Sequence, residues 1–139
     1  VEGATQYRSR SPAYPDYTGP LWRFVAEEVP AAYHQGLPLL NAANRWYSGA
    51  YLLETVPTVL YLLMQHGGDP EEALIRAVND TRDNDMVAAI VGAAVGALHG
   101  IAAFPEPWRT GLLGRTGADD DGRVPALLEA ARARWWDAL

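Results

Sequence analysis

Three carboxylates fall within six residues near the middle of the chain, at Asp80, Asp83 and Asp85. An apolar run follows at residues 86–98, and such a run predicts a helix packed in a protein interior. Carboxylates beside a buried helix are costly unless they pair or bind a metal, and oxygen ligands at this density suit Mg²⁺, Ca²⁺ or Mn²⁺. A structural role is also open, because Asp83 or Asn84 could cap the helix and acids in its first turn favour the macrodipole.

Small residues recur at every fourth position of the apolar run, at Ala88, Gly92, Gly96 and Gly100. On a helix these positions form one stripe, which lets another backbone approach closely. The run is too short to span a bilayer, which needs about 20 apolar residues. We therefore predict a fully buried helix in the centre of a soluble protein, with the stripe packed against other helices.

The same segment resembles the C-terminal signature of the ADP-ribosylglycohydrolase family, whose pattern is approximately N-x-G-G-D-T-D-T-I-A-A-I-x-G-A-x-x-G-A-x-x-G. Upstream, residues 54–57 read ETVP, and downstream residues 105–108 read PEPW, as in segments that flank the motif in this family. The resemblance covers about residues 48–110. The residues that match or align with the pattern are Asn79, Asp83, Asn84, Asp85, Met86, Val87, Ala88, Ala89, Ile90, Gly92, Ala93, Gly96, Ala97 and Gly100.

The resemblance implies an enzyme that hydrolyses ADP-ribosyl N- or O-glycosidic linkages with two Mg²⁺ ions, for which Mn²⁺ is a possible substitute. In this family the ions hold ribose hydroxyls and activate a water at the anomeric carbon. By resemblance, Asp83 and Asp85 are the metal ligands and act in catalysis through the metal, with Asp85 as the bridge between the ions. Candidate substrate contacts are Arg82, Asn84, Trp46 and Tyr51.

Two positions depart from the family pattern. Met86 stands where the family has a threonine that binds the metal, and a thioether is a poor ligand for Mg²⁺. Thr81 and Arg82 replace a pair of glycines, which places a cation beside the carboxylates. These changes leave open a retuned substrate, a weakened metal site, or a non-catalytic relative that binds ADP-ribose or another nucleotide. A diphosphate-lyase site is a third alternative, but that class needs aspartate-rich motifs on two facing helices and only one motif is present.

Composition sets the outer limits of the interpretation. The chain has 139 residues, a net charge of −6 and no cysteine. It therefore offers no disulfide framework, no thiolate site and no basic surface for nucleic acid. We see no signal peptide pattern, so the cytoplasm is the expected location.

The family comparison also predicts a missing partner region. Members of the family are longer, and their remaining metal ligands, a glutamate and a threonine-aspartate-aspartate cluster, lie in the N-terminal half. No such cluster precedes residue 79 here. We expect this chain to be the C-terminal half of the fold, acting with an N-terminal half of the same protein or with a second subunit.

The local patterns predict an irregular all-α bundle over residues 21–139, after an extended arm at residues 1–20. One helix is expected to end before Pro30, and the helix of residues 51–66 to be broken or begun near Pro57. Asp69 should cap the next helix, and a last helix should cover residues 125–137. Residues 114–123 include three consecutive aspartates, which we interpret as a solvated acidic turn rather than a calcium loop. Trp46, offered above as a substrate contact, could equally be a packing residue.

Overall fold

A computed structural model describes residues 5–113 and 122–135, and within them the protein is all-α, as predicted. The acidic turn lies almost wholly outside the described residues. Two strands of two residues, β1 (Tyr7–Arg8) and β2 (Thr18–Gly19), pair antiparallel. The seven helices of the described residues are α1 (Leu21–His34), α2 (Leu39–Trp46), α3 (Leu52–His66), α4 (Pro70–Asn79), α5 (Asn84–His99), α6 (Glu106–Leu113) and α7 (Arg123–Trp135).

The chain divides into two compact units, one ending at Ala103 and the other beginning at Phe104. In the first unit, α3 is central and packs against α1, α2, α4 and α5. Its Tyr61 is fully buried, donates a hydrogen bond of 2.6 Å to the Leu37 carbonyl, and meets the Trp46 ring edge-on at 5.5 Å. The core of this unit therefore forms around α3, which also carries the segment ETVP. None of the described helices has both the length and the apolar character needed to cross a membrane.

Two prolines lie inside helices, contrary to the prediction that helices end or break there. Pro30 is within α1 and Pro57 is within α3. A proline in a helix interior removes one backbone hydrogen bond, at a cost of about 3 kcal/mol. The first turn of α3 is secured before Pro57, since the Tyr51 carbonyl accepts from the amides of Glu54 and Thr55 at 2.7 and 2.8 Å. Burial on both sides of Pro57 then outweighs the lost bond.

The predicted cap of α4 is confirmed. Asp69 Oδ1 accepts a hydrogen bond of 3.1 Å from the Glu72 amide, and Pro70 occupies the first helical position. These two residues satisfy or remove donors that an uncapped helix leaves free. Helix α4 then ends at Asn79, immediately before the acidic segment.

The expectation that α5 is fully buried is wrong for the chain described here. Its buried stripe is Val87, Val91 and Val95 rather than the small residues. The small residues do allow a close approach, because a Cβ on Gly92 would lie 3.3 Å from Leu74 Cδ2 of α4. The outer face is exposed, with Ile90 at 43% and Leu98 at 72% of their full accessible area, because only α3, α4 and a short 3₁₀ turn make extensive contact with α5 in the first unit.

Residues 5–20, which the sequence predicts to be an extended arm, carry the two short strands and lie on the first unit. Tyr14 and Tyr17 meet the buried Phe24 ring edge-on at 5.1 and 4.8 Å. Ser11 is buried and donates a hydrogen bond of 2.6 Å to the Arg45 carbonyl. These contacts join the arm to α1 and α2.

The second unit contains α6 and α7. Helix α6 follows Pro105, whose carbonyl accepts from the Trp108 amide at 3.0 Å. Arg109 Nε donates to the Phe104 carbonyl, also at 3.0 Å. Helix α7 leaves Leu127, Leu128 and Trp135 more than 60% exposed, so it has no buried core of its own among the described residues.

Candidate functional site

Two carboxylates stand at the start of α5. Asp83 occupies the N-cap position, but its side chain makes no capping hydrogen bond, and Asp85 lies in the first turn. The buried Oδ2 atom of Asp83 has no hydrogen-bond partner among the described residues. Burial, followed by the neighbouring Asp85 carboxylate, raises the pKa of Asp83 above its ordinary value. The two side chains are therefore close and unneutralised, which is an arrangement that a cation would stabilise.

Asp80 does not belong to this pair. It ends α4, and its Oδ2 atom lies 3.4 Å from Nη1 of Arg76. Within the described ranges, no three or more histidine, aspartate or glutamate side chains come together in a way that could hold a metal ion. Asp83 and Asp85 alone therefore provide only part of a ligand set, and the third acid of the segment serves α4.

A turn after α2 fixes the backbone that carries Asp83. The Ser48 carbonyl accepts from the Asp83 amide at 3.0 Å, and Ser48 Oγ accepts from the Arg82 amide at 3.1 Å. Ser48 is fully buried, and both it and Tyr47 have positive φ, at 33° and 74°. Residues other than glycine rarely adopt this conformation, and it persists where surrounding contacts impose it. The turn therefore holds the start of the acidic loop in a fixed position.

Arg82 and Asn84 flank Asp83 and are both exposed. The Arg82 guanidinium lies 4.4 Å from the centre of the Tyr47 ring, a cation–π contact. Asn84 Nδ2 donates to the Val78 carbonyl at 3.2 Å, which ties the loop back to α4. The loop therefore presents a cation and an amide beside the two carboxylates. Met86 is 43% exposed, so its side chain does not enter the core.

The two aromatic candidates differ in their surroundings. Tyr51 precedes α3, is half-buried, and meets the Tyr7 ring edge-on at 6.0 Å. Trp46 is 1% exposed, and its Nε1 atom has no partner in the described part of the chain. The structure therefore brings Arg82, Asp83, Asn84 and Asp85 together on one loop, whereas Trp46 lies in the core beside Tyr61.

Sequence reasoning missed the Ser48 turn and the residues beside it. Gly49 follows Ser48, and a Cβ there would lie 2.5 Å from Oε2 of Glu54. Glu54 is 1% exposed and pairs with Arg10 of the arm. The Ser-Gly dipeptide was a readable signal for a turn, and a glutamate in an otherwise apolar helical segment was a readable signal for a buried charge. Nothing in the sequence points to Arg10 as its partner.

The fold and the site together define an all-α protein with paired carboxylates at the start of an apolar helix. The sequence profile of the ADP-ribosylglycohydrolase family matches residues 4–137, and the chain therefore belongs to this family. An uncharacterized protein from Archaeoglobus fulgidus is 48% identical over 63 residues, which are 45% of this chain and 20% of that relative. The chain thus spans about a fifth of the relative it matches, and no solved structure matches it.

Proposed function

We propose that this chain supplies two metal ligands, Asp83 and Asp85, to a Mg²⁺-dependent hydrolase of ADP-ribosyl N- or O-glycosidic linkages. The single observation that carries the proposal is the buried, unpartnered Oδ2 atom of Asp83 beside a second carboxylate. A helix start that uses aspartate only as a cap would engage that oxygen with a backbone amide, and Asp83 does not. Membership of the family supports this reading.

The donors fit the metal that the proposal requires. Mg²⁺ and Mn²⁺ take carboxylate oxygens, and both Asp83 and Asp85 offer them. When bound, the metal lowers the pKa of a water and holds substrate hydroxyls. The chain's own residues would hold the ions and fix their ligands: the Ser48 turn restrains Asp83, and the exposed Arg82 offers a cation to a phosphate of the substrate. Asn84 and Tyr51 are the other proposed substrate contacts, and Trp46 would support them from the core.

The remaining ligands would come from an N-terminal half of the same protein or from a second subunit. Two observations support a partner region. The match to the archaeal relative covers only 20% of its length. The outer face of α5 exposes Ile90 and Leu98, and a contiguous apolar face of this kind is typical of an interface.

The partner region can be tested by expressing residues 1–139 alone. We expect this chain to aggregate or to bind a hydrophobic dye, and addition of the N-terminal half to suppress the dye signal. A stable, dye-negative monomer with a cooperative melt would contradict the missing-half proposal.

Met86 favours a second candidate function, a non-catalytic relative that binds ADP-ribose or another nucleotide. It stands where the family has a ligand threonine, and it supplies no oxygen for Mg²⁺. If one ion is weakened rather than lost, Met86→Thr should tighten metal binding and raise turnover. Each tenfold gain in kcat/KM corresponds to about 1.4 kcal/mol of transition-state stabilisation.

The experiment measures kcat/KM for an ADP-ribosyl substrate across a Mg²⁺ titration in the assembled protein. Met64→Thr is the matched control, because Met64 on α3 is 49% exposed and Met86 is 43% exposed. We expect a gain from Met86→Thr and none from Met64→Thr. An assembled protein that binds ADP-ribose but turns over no substrate, with threonine or methionine at position 86, would favour the binding function.

A further inference from the structure

Glu54 is a carboxylate held almost entirely out of water. It lies in the first turn of α3 and is 1% exposed. Arg10 satisfies both of its oxygens, with Nε 2.8 Å from Oε1 and Nη2 2.8 Å from Oε2. In the described part of the chain no other side chain donates to this carboxylate. Two parallel bonds of this length form the fork geometry that guanidinium groups make with carboxylates.

The surroundings of Glu54 have the shape of a cup that opens outward. Arg10 is 56% exposed although its partner is buried, so the guanidinium enters from the solvent side. The Tyr51 ring forms one wall, with its centre 4.9 Å from the guanidinium carbon of Arg10. Gly49 leaves room for the carboxylate, since a Cβ there would lie 2.5 Å from Oε2. A buried carboxylate, an aromatic face and a small residue together select a flat cation.

The residue that fills this cup belongs to a separable segment. Arg10 follows β1, and the two strands of the arm contain two residues each. A ribbon this short is marginal alone, and segments with few backbone bonds open locally before the rest of a domain. Glu54 and Tyr51, by contrast, are at the start of the central helix α3. The cup is therefore part of the rigid unit, and its occupant is not.

We propose that Glu54, Tyr51 and Gly49 form a guanidinium-binding pocket that the chain's own Arg10 fills, and that accepts an arginine side chain of another polypeptide when the arm is displaced. A guanidinium can satisfy both buried oxygens at once and is weakly hydrated, so it enters a closed site readily. A lysine ammonium is a strongly hydrated point charge and fits less well. This inference does not depend on the metal site or on the proposed hydrolase function.

The test removes Arg10 and offers its head group in solution. Arg10→Ala in the full chain should be less stable, and ethylguanidinium at millimolar concentration should restore stability by mass action. We expect a rise in the thermal midpoint of about 2 °C or more once the ligand exceeds its Kd tenfold. Ethylammonium at the same concentration should give no comparable rise. If Arg10→Ala shows no cooperative melt, the readout is the appearance of one when ethylguanidinium is added.

Two further variants separate the pocket from general salt effects. The double variant Arg10→Ala with Glu54→Gln should lose the response, because the charged fork partner is gone. Arg23→Ala, which removes an exposed pair between Arg23 and Glu27, should show none. N-acetylarginine amide then tests whether an arginine in a peptide setting fits. Equal responses to both cations, a response that survives Glu54→Gln, or no response to either arginine analogue would overturn the proposal.

Discussion

Gly49 is the position where the addition of one methyl group should be felt most strongly. A Cβ there would lie 2.5 Å from Oε2 of Glu54, about 0.9 Å short of the 3.4 Å at which ordinary contact begins. Its φ is not positive, so alanine would suffer from the contact and not from the backbone. The carboxylate is the end of a flexible side chain, but it is buried and both oxygens are held by Arg10. Overpacking of this kind costs about 1–3 kcal/mol.

We therefore expect Gly49→Ala to lower the free energy of unfolding by about 2 kcal/mol, which corresponds to a fall in the thermal midpoint of about 6–10 °C. Urea unfolding followed by circular dichroism measures the first quantity, and a thermal scan measures the second. Gly68→Ala is the matched control, because a Cβ at Gly68 would meet nothing within 4 Å. Its effect should stay within about 0.5 kcal/mol.

A double-mutant cycle tests the mechanism as well as the magnitude. In a Glu54→Ala background the atom that clashes is absent, so Gly49→Ala should then cost less than about 0.5 kcal/mol. If Gly49→Ala costs as much with Glu54 removed as with Glu54 present, the steric reasoning is wrong. The same conclusion follows if Gly49→Ala and Gly68→Ala have equal effects.

Two smaller predictions concern a cap and a titration. Asp69→Ala should destabilise the protein by about 1 kcal/mol, because the Glu72 amide loses its acceptor, whereas Glu71→Ala in the same turn should cost less; equal losses in urea unfolding would contradict the cap. Burial, and after it Glu28, raises the pKa of Tyr14 from 10.0 to about 12, so its contribution to stability is complete below pH 10 and is lost as the pH rises toward 12. The free energy of unfolding should therefore fall less steeply across this window in Tyr14→Phe than in the unmodified chain, and parallel curves would contradict this.

Local signals in the sequence were sufficient for the helices and for part of the site. The cap at Asp69 depends on residues three apart, and the family motif is contiguous, so both could be predicted. The continuation of α1 through Pro30 and α3 through Pro57 could not, because tertiary burial decides those cases against local propensity.

Contacts between distant residues were beyond sequence reasoning. Arg82 and Ser48 are 34 residues apart, and Arg10 and Glu54 are 44 apart. Their partners are set by how α2, α3 and the arm pack, which no single stretch of sequence encodes. The apolar run of α5 predicted a helix correctly but not its exposed face, since hydrophobicity alone does not say which surface covers a residue.

The most direct test of the central claim is the effect of Mg²⁺ on the thermal midpoint of the assembled protein. If Asp83 and Asp85 bind the metal, Mg²⁺ at 100 times its Kd should stabilise the protein by about 2.7 kcal/mol. Asp85→Ala should abolish this rise. Asp80→Ala is the matched control, because Asp80 pairs with Arg76 and not with the other two acids, and it should keep the rise. An identical rise in Asp85→Ala and in the unmodified protein would contradict the assignment of the metal site.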